Sequence, residues 1–214
     1  MIAVIVPIYN TEKYLRETID SVICQTLSFA EHIRLILLDD ASTDGSFAIC
    51  EQYQKQYPKQ ILVKHYDTNQ GVSVLRNEGV RIAGEMGDEL ITFLDSDDKL
   101  ADDAMEKAKM YFESHEDISV AAIAVKYFGT RDGEQRLNWR FQEMDVVDIK
   151  KQYTFPHYYV GGVFLRKRVL NELHFDETMN FWEDALAINQ VIVSEGKYGL
   201  IQDTFYFYRK REDE

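Results

Sequence analysis

Cysteine is scarce. The 214 residues include two, Cys24 and Cys50, each inside a helix-like stretch, so neither a disulfide framework nor a cysteine-based zinc site is indicated. The five histidines, His32, His65, His115, His157 and His174, are scattered without metal-ligand spacing. Positive charge is in deficit, with 24 Lys and Arg against 37 Asp and Glu and a formal net charge of −13. That balance argues against general affinity for nucleic acid or for an anionic membrane surface, although local groups still hold an anionic ligand against it. No apolar run approaches the eighteen residues of a membrane span, and Met1 opens directly into a strand-like run with no room for a signal peptide. The expectation is a cytoplasmic protein without a membrane span, any peripheral membrane association lying in regions outside this stretch. Glycine is missing where a dinucleotide site needs it. Pro7-Ile8-Tyr9-Asn10-Thr11 follows the first apolar run and holds none, which removes the Gly-x-Gly-x-x-Gly fingerprint.

Hydrophobic content of 45% and charged content of 29% are ordinary for a globular chain long enough to bury a core. Met1 to Ile8 is nearly all apolar, as a central parallel strand covered on both faces would be. Pro7 is expected to stop ladder pairing there, and Asn10 or Thr11 to cap a helix. Leu15, Ile19, Val22 and Ile23 fall on one helical face. Ile33–Leu38 predicts a second strand, Phe47, Cys50, Tyr53 and Tyr57 a helix, and Ile61–Lys64 a third strand. Asn69-Gln70-Gly71 predicts a turn before a helix striped by Leu75, Gly79, Ile82 and Ala83; Leu90–Leu94 predicts a fourth strand. This alternation means right-handed crossovers and a mainly parallel sheet. The second half is less regular: a helix striped by Ala104, Ala108, Tyr111 and Phe112, strands at Ile118–Val125 and Gly161–Leu165, a short helix over Arg166–Leu173, a helix from Glu183-Asp184 with Ala185, Ile188 and Ile192 on one face, and strand-like segments from Tyr198 to Tyr208. Residues 129 to 157 lack periodicity and fit a substrate-facing excursion or a long surface loop equally. With no internal repeat, the chain is expected to be one domain of two halves, 1–99 and 100–214.

The fourth strand ends in Asp95-Ser96-Asp97-Asp98. Three carboxylates this close disfavour one another's ionisation. A divalent cation removes the conflict, because magnesium and manganese take hard oxygen ligands and are usually held by one or two carboxylates plus substrate phosphates. The structural alternative is an acidic turn capping a helix that starts near Leu100. In an open α/β sheet, the loops at the carboxyl ends of the strands form the ligand crevice. Tyr9 and Asn10, Asp39 and Asp40, Asn69, and Asp95 to Asp98 all fall there. Four polar strand ends on one rim point to a nucleotide-type site.

In this order and spacing the residues resemble the inverting family 2 glycosyltransferases of the GT-A fold, over Ile2 to about Tyr208. The resemblance is carried by Pro7-Ile8-Tyr9-Asn10, Asp39-Asp40-Ala41-Ser42-Thr43-Asp44-Gly45-Ser46, Asn69-Gln70-Gly71 with Arg76-Asn77-Glu78-Gly79, Asp95-Ser96-Asp97 and Glu183-Asp184. The closing Tyr206-Phe207-Tyr208-Arg209-Lys210-Arg211 is similar to bacterial members that build or decorate cell-surface polymers of teichoic-acid type. The resemblance implies a Rossmann-like, mainly parallel sheet flanked by helices with a mixed acceptor-side lobe. It implies a nucleotide-sugar donor, UDP-linked, with Mn2+ or Mg2+, and a glycan or polymer acceptor. Pro7, Tyr9 and Asp40 are then expected at the nucleoside, with Asp40 accepting from the base's ring N–H and Asp39 bracing the loop. Asn69 and Arg76 are expected near the base and diphosphate, Asp95 at the ribose and metal, and Asp97 on the metal. Asn10, Ser96 and Arg209 join the donor side, and Gly161 and Gly162 allow close approach of the donor sugar. Asp184 is expected as the catalytic base, with Glu183 positioning it or the acceptor.

The sequence departs from that pattern where members often carry a histidine after a closing Tyr-Arg pair as an extra metal ligand. Lys210 and Arg211 stand there instead, leaving the metal to Asp97 and the diphosphate, or letting a basic group neutralise the diphosphate. Gln135-Arg136-Leu137-Asn138-Trp139 superficially resembles the Gln-x-x-Arg-Trp element of processive synthases but precedes Asp184 and lacks the arginine. The close at Arg211-Glu212-Asp213-Glu214 is expected to be the end of a catalytic part of a longer protein. A sugar-nucleotide pyrophosphorylase wants a glycine-rich loop after the first strand, and Phe128-Gly129-Thr130-Arg131 comes too late to serve. A non-catalytic nucleotide-sugar or polymer-binding module would keep Asp40 and Asp97 without needing Asp184. Thr43-Asp44-Gly45-Ser46 is expected to be a helix cap and turn. Trp182 reads as core or as an acceptor platform, and Glu183-Asp184 also suits a helix N-terminus.

Overall fold

The computed structural model describes residues 1–130, 135–136, 144–152, 160–179 and 181–211. In chain order these form β1 (Ile2–Ile8), α1 (Glu12–Ile23), the one-turn α2 (Phe29–His32), β2 (Ile33–Asp39), α3 (Ser46–Gln56), β3 (Ile61–His65), α4 (Val72–Met86), β4 (Leu90–Phe93) and the two-residue β5 (Lys99–Leu100). There follow α5 (Ala104–Ser114), β6 (Val120–Gly129), β7 (Gln135–Arg136), β8 (Val146–Asp148), α6 (Ile149–Gln152), β9 (Val163–Arg166), α7 (Glu183–Glu195) and β10 (Lys197–Lys210). The strands join in one mixed sheet ordered β3-β2-β1-β4-β9-β6-β10-β5, with β7 on β6 and β8 on β10. β3, β2, β1 and β4 are all parallel. β9 is inserted antiparallel between β4 and β6, and β10 runs parallel to β6 with a register shift between Ile201 and Phe205.

All seven residues of β1 are buried because both faces of the sheet are covered. Val4, Val6 and Ile8 pack with Leu15, Ile19 and Val22 of α1, Ile49 and Cys50 of α3, and Met105 and Phe112 of α5. Ala3 and Ile5 pack the other way, with Leu75, Ile82 and Ala83 of α4 and Ile188, Val191 and Ile192 of α7. The period-2 alternation of a strand thus divides one apolar run between two cores.

Several local expectations shift. β1 pairs with β2 through Pro7 to Ile8, so the proline does not stop that ladder. Pairing with β4 ends at Ile5 and Phe93, Ile5 accepts from Leu94 on that side, and a residue two further on presents its nitrogen the same way, where no partner is needed. No helix starts at Leu100: Lys99 and Leu100 pair with Phe207 and Tyr206 of β10, and α5 begins at Ala104 without a side-chain cap. Arg166–Leu173 contains one 3-10 turn, Lys167–Val169, and the strand expected from Gly161 begins at Val163. Among the described residues no helix is long and apolar enough to cross a membrane. His157 and Leu137 to Trp139 of the superficial synthase motif lie outside the described residues.

α4 comes close to the sheet at Gly79, where an added Cβ would meet Ile5 Cγ2 at 2.3 Å. Ile5 is fully buried and has no room to retreat. Gly79→Ala is therefore expected to cost about 1–3 kcal/mol by overpacking, read as a lowered urea midpoint with an unchanged slope.

Candidate functional site

The carboxyl ends of β1, β2 and β4 and the start of α4 enclose a cleft of about 480 Å³. Pro7, Ile8, Tyr9 and Thr11 line it after β1, Asp40 after β2, and Asn69, Gly71, Val72, Leu75 and Arg76 from the turn into α4. Asp95, Ser96 and Asp97 close it after β4, with Arg211 from the end of the chain's last strand. The chain turns sharply around this rim. Asn10, Ala41 and Trp182 are non-glycine residues with φ of 52°, 60° and 66°, a conformation that costs energy and is held by surrounding contacts. Asn10 shows how: its backbone N–H donates to Ser42 Oγ at 3.0 Å, and its Oδ1 accepts from Thr43 N–H at 2.8 Å.

Asp39 and Asp40 divide their work. Asp39 is fully buried; its Oδ2 accepts from Ser42 N–H at 3.2 Å and lies 2.7 Å from His65 Nδ1, which ties the loop to β3. Asp40 N–H donates to Ile8 O at 2.8 Å. Its two carboxylate oxygens accept from Gln70 N–H at 2.7 Å and Gly71 N–H at 2.9 Å, and Asn69 Nδ2 donates to its carbonyl at 3.3 Å. Gly71 has φ +91°, a conformation that favours glycine, and this bend delivers its N–H to Asp40. Thr43-Asp44-Gly45-Ser46 is a reciprocal cap, as its residue types suggest. Asp44 accepts from Glu12 N–H at 3.0 Å and Ser46 N–H at 2.9 Å, while Ser46 Oγ accepts from Thr11 N–H at 2.9 Å, so one loop caps both α1 and α3.

The acidic cluster splits. Asp98 is 1% exposed and is a structural lock, accepting from Tyr206 Oη at 2.7 Å and Arg209 N–H at 2.7 Å. Burial, reinforced by Asp95 and Asp97, raises its pKa. None of the three aspartates caps a helix. Asp95 and Asp97 line the cleft. Burial raises the pKa of Asp97 and Arg211 opposes the rise. Arg211 donates to Asp97 Oδ2 through Nη2 and, at 3.0 Å, through Nε. Among the described residues no group of three potential metal ligands converges. Two cleft-facing carboxylates nevertheless fit a divalent ion that arrives with a diphosphate and takes its remaining oxygens from it and from water.

Arg76 joins this rim to the start of α7. It is 4% exposed; Nη1 donates to Glu183 Oε1 at 2.9 Å and Nη2 to Asp95 Oδ1 at 3.4 Å, and the guanidinium lies 5.5 Å from the Phe175 ring. Asp184, next to Glu183, accepts from Ala185 N–H at 2.7 Å and Val160 N–H at 3.3 Å. Burial raises its pKa and Arg76 opposes the rise. Before it stand Phe181 and Trp182, 78% and 62% exposed, so Trp182 is not core.

Not every expected residue meets the cleft. Arg209 lines a neighbouring depression, donating through Nε to Asp97 O at 2.6 Å and pairing with Glu17. Arg211, not Lys210, reaches the Asp97 carboxylate. Strand alternation was the available signal, since it sets Arg209 and Arg211 on one face and Lys210 on the other. Thr11, Leu75 and Val72 line the cleft but are ordinary in sequence and give no signal of their own. Asn10 contacts the rim loop, and Ser96 is buried with its carbonyl accepting from Thr18 Oγ1 at 2.9 Å. Neither Gly161 nor Gly162 lines the cleft. Gly161 bridges Phe93, and an added Cβ on Gly162, at φ +75°, would meet Ile123 Cγ1 at 2.8 Å and Tyr206 Cβ at 3.0 Å. Packing between strands is by itself a reason for glycine at 162.

Open α/β sheets with polar strand ends around one cleft define a class of nucleotide-binding proteins. The sequence profile of glycosyl transferase family 2 matches residues 3–174, and the chain belongs to that family. It is 40% identical over 216 residues to the minor teichoic acid biosynthesis protein GgaA of Bacillus subtilis, covering 100% of this chain and 48% of that protein. It is 27% identical over 215 residues to the poly(ribitol-phosphate) β-N-acetylglucosaminyltransferase TarS of Staphylococcus aureus, covering 99% of this chain and 36% of that protein. The crystal structure of S. aureus TarS 1-349 in complex with UDP-GlcNAc matches with a TM-score of 0.82 at 26% identity, over 100% of this chain and 59% of that one. The chain thus spans about half or less of the length of these curated relatives.

Removing the Arg76 cation leaves the Glu183 carboxylate, with 12% of its side chain exposed, without that hydrogen-bonded cation. Arg76→Met is expected to destabilise the fold by about 3 kcal/mol, and Arg76→Met combined with Glu183→Gln to recover part of that loss, both measured by urea unfolding.

Proposed function

We propose that this domain is a GT-A glycosyltransferase that moves a sugar, with inversion, from a UDP-sugar to a hydroxyl of a cell-surface polymer. The observation that carries the reading is the Arg76 guanidinium spanning Asp95 after β4 and Glu183 at the start of α7. It links Asp95 on the cleft to Glu183, the chain neighbour of the candidate base Asp184, although neither Glu183 nor Asp184 is among the residues that line the cleft. Family membership and the likeness to TarS with UDP-GlcNAc support it.

In this reading Pro7 and Tyr9 flank the nucleoside. Asp40, already oriented by the N–H groups of Gln70 and Gly71, offers its remaining lone pairs to the base. Asp39 holds that loop through Ser42, and Asn69 and Arg76 flank the base and diphosphate. Asp95 and Asp97 hold Mn2+ or Mg2+, which when bound stabilises the charge that develops on the leaving diphosphate. Asp184 takes the proton of the attacking hydroxyl, since a neutral hydroxyl is a poor nucleophile. Its raised pKa makes it a stronger base than an exposed carboxylate, and Glu183, fixed by Arg76, positions it. One base and one leaving-group stabiliser suffice for direct displacement; no enzyme nucleophile is needed. A cytoplasmic location belongs to the same reading and agrees with two free cysteines, one exposed.

Asp184→Asn is expected to leave UDP affinity unchanged in calorimetry while transfer falls by about 10²–10⁴-fold. The wild-type rate should fall as pH drops through the raised Asp184 pKa, placing the acid limb above the ordinary value of 3.8; undiminished transfer by the variant refutes the assignment. Asp97→Ala is expected to remove the gain in UDP affinity that manganese gives the wild type, and equal titrations with and without manganese in the wild type would count against the metal assignment.

A further inference from the structure

We propose that a basic depression beside the donor cleft takes a phosphate group of a phosphodiester-linked acceptor polymer, an inference that rests on the sugar-transfer reading above. The depression, about 440 Å³, is walled by Lys13, Arg209, Lys210 and Arg211 around Tyr14 and Thr130. Among the described residues no acidic side chain lines it, although the chain carries a net charge of −13.

Two features distinguish it from an ordinary solvated basic surface. Three cations gather about one aromatic ring: Lys13 Nζ and the guanidiniums of Arg209 and Arg211 lie 5.1, 4.6 and 5.3 Å from the Tyr14 ring. Lys210 contributes to the wall, but its ammonium is not one of the three, lying instead 4.7 Å from the Tyr208 ring and 5.3 Å from that of Tyr127. Cation–π contacts hold these three positive groups against the ring, Lys13 without an ion pair among the described residues, and gathered like charges favour an anion between them. The second feature is continuity. Arg211 lines both the depression and the cleft that contains Asp97, so a chain anchored here by one phosphate runs past the mouth of the donor cleft. Arg209 is turned to Glu17 and Arg211 to Asp97. Lys13 makes no ion pair among the described residues and is therefore the group to change.

A polymer fits better than an isolated ion, because each repeat of a polyol phosphate brings one charge beside the hydroxyls to be glycosylated. A labelled poly(ribitol-phosphate) oligomer followed by fluorescence anisotropy, with UDP calorimetry on the same samples, tests this. Lys13→Glu is expected to weaken oligomer binding about tenfold while UDP affinity stays within about twofold, since a rim charge acts locally. Lys13→Arg should retain oligomer binding. Equal oligomer binding by wild type and Lys13→Glu overturns the proposal, as does a wild type that ignores the oligomer. A matching fall in UDP affinity also overturns it, by assigning the depression to the donor diphosphate. Loss of binding to vesicles of anionic phospholipid with oligomer binding intact overturns it in favour of a membrane contact. A wild type that fails to bind UDP with manganese instead sinks the sugar-transfer reading beneath it.

Discussion

A buried guanidinium between two carboxylates ties the two halves of this chain together. Arg76 comes from the middle of the parallel half, Glu183 from the start of α7 in the mixed half, and Asp95 from the strand end between them. Taking such ions out of water costs several kcal/mol each, and only close, hydrogen-bonded pairing returns it. Arg76 is nearly inaccessible and Glu183 has 12% of its side chain exposed; separating α4 from α7 would leave both charges badly solvated. The geometry of the cleft wall thereby becomes a condition of folding.

A similar constraint governs the acidic strand end. Three aspartates within four residues repel, and the fold relieves them separately. Asp98 is drawn inward onto Tyr206 and the Arg209 N–H, Asp97 is met by Arg211, and Asp95 is met by Arg76. Tyr206 also accepts from Asp95 N–H at 3.2 Å, so one hydroxyl fixes both ends of the turn. Because Tyr206 and Arg209 both lie on β10, the last strand sets the shape of the loop after β4.

How far the sequence shows this depends on whether a residue's environment is local. β1, β2 and β4 were legible because strands buried on both faces must be apolar throughout. Asp95 and Asp97 were legible because carboxylates at a buried strand end are improbable without a partner. β9 was not legible as a reversed strand: Val163–Arg166 reads the same in either direction, and its pairing with Leu90–Thr92 is fixed by tertiary packing. β5 was mistaken for the approach to a helix because two residues carry no period and their partners in β10 are a hundred positions away in the chain. The packing constraint on Gly162 was not legible, because it comes from Ile123 and Tyr206, which spacing does not bring together. The contact of Arg211 with Asp97 was within reach, since alternation carried one residue past the end of β10 puts Arg211 on the face of Arg209 and Lys210 on the other.

The net charge of −13 and the anionic donor proposed for the cleft conflict only if charge acts at long range. At physiological ionic strength the screening length is about 8 Å, so acidic groups on the far surface contribute little at the cleft mouth. Arg76 and Arg211 line the cleft itself, where partial burial weakens screening and strengthens each contact. Among the described residues the three acids that line the cleft are engaged, Asp97 by Arg211, Asp95 by Arg76 and Asp40 by the N–H groups of Gln70 and Gly71. What an approaching phosphate meets is therefore the local arrangement. The surplus of acid elsewhere lowers non-specific adhesion to polyanions, and in the proposed reading recognition falls to the few places where cations are gathered.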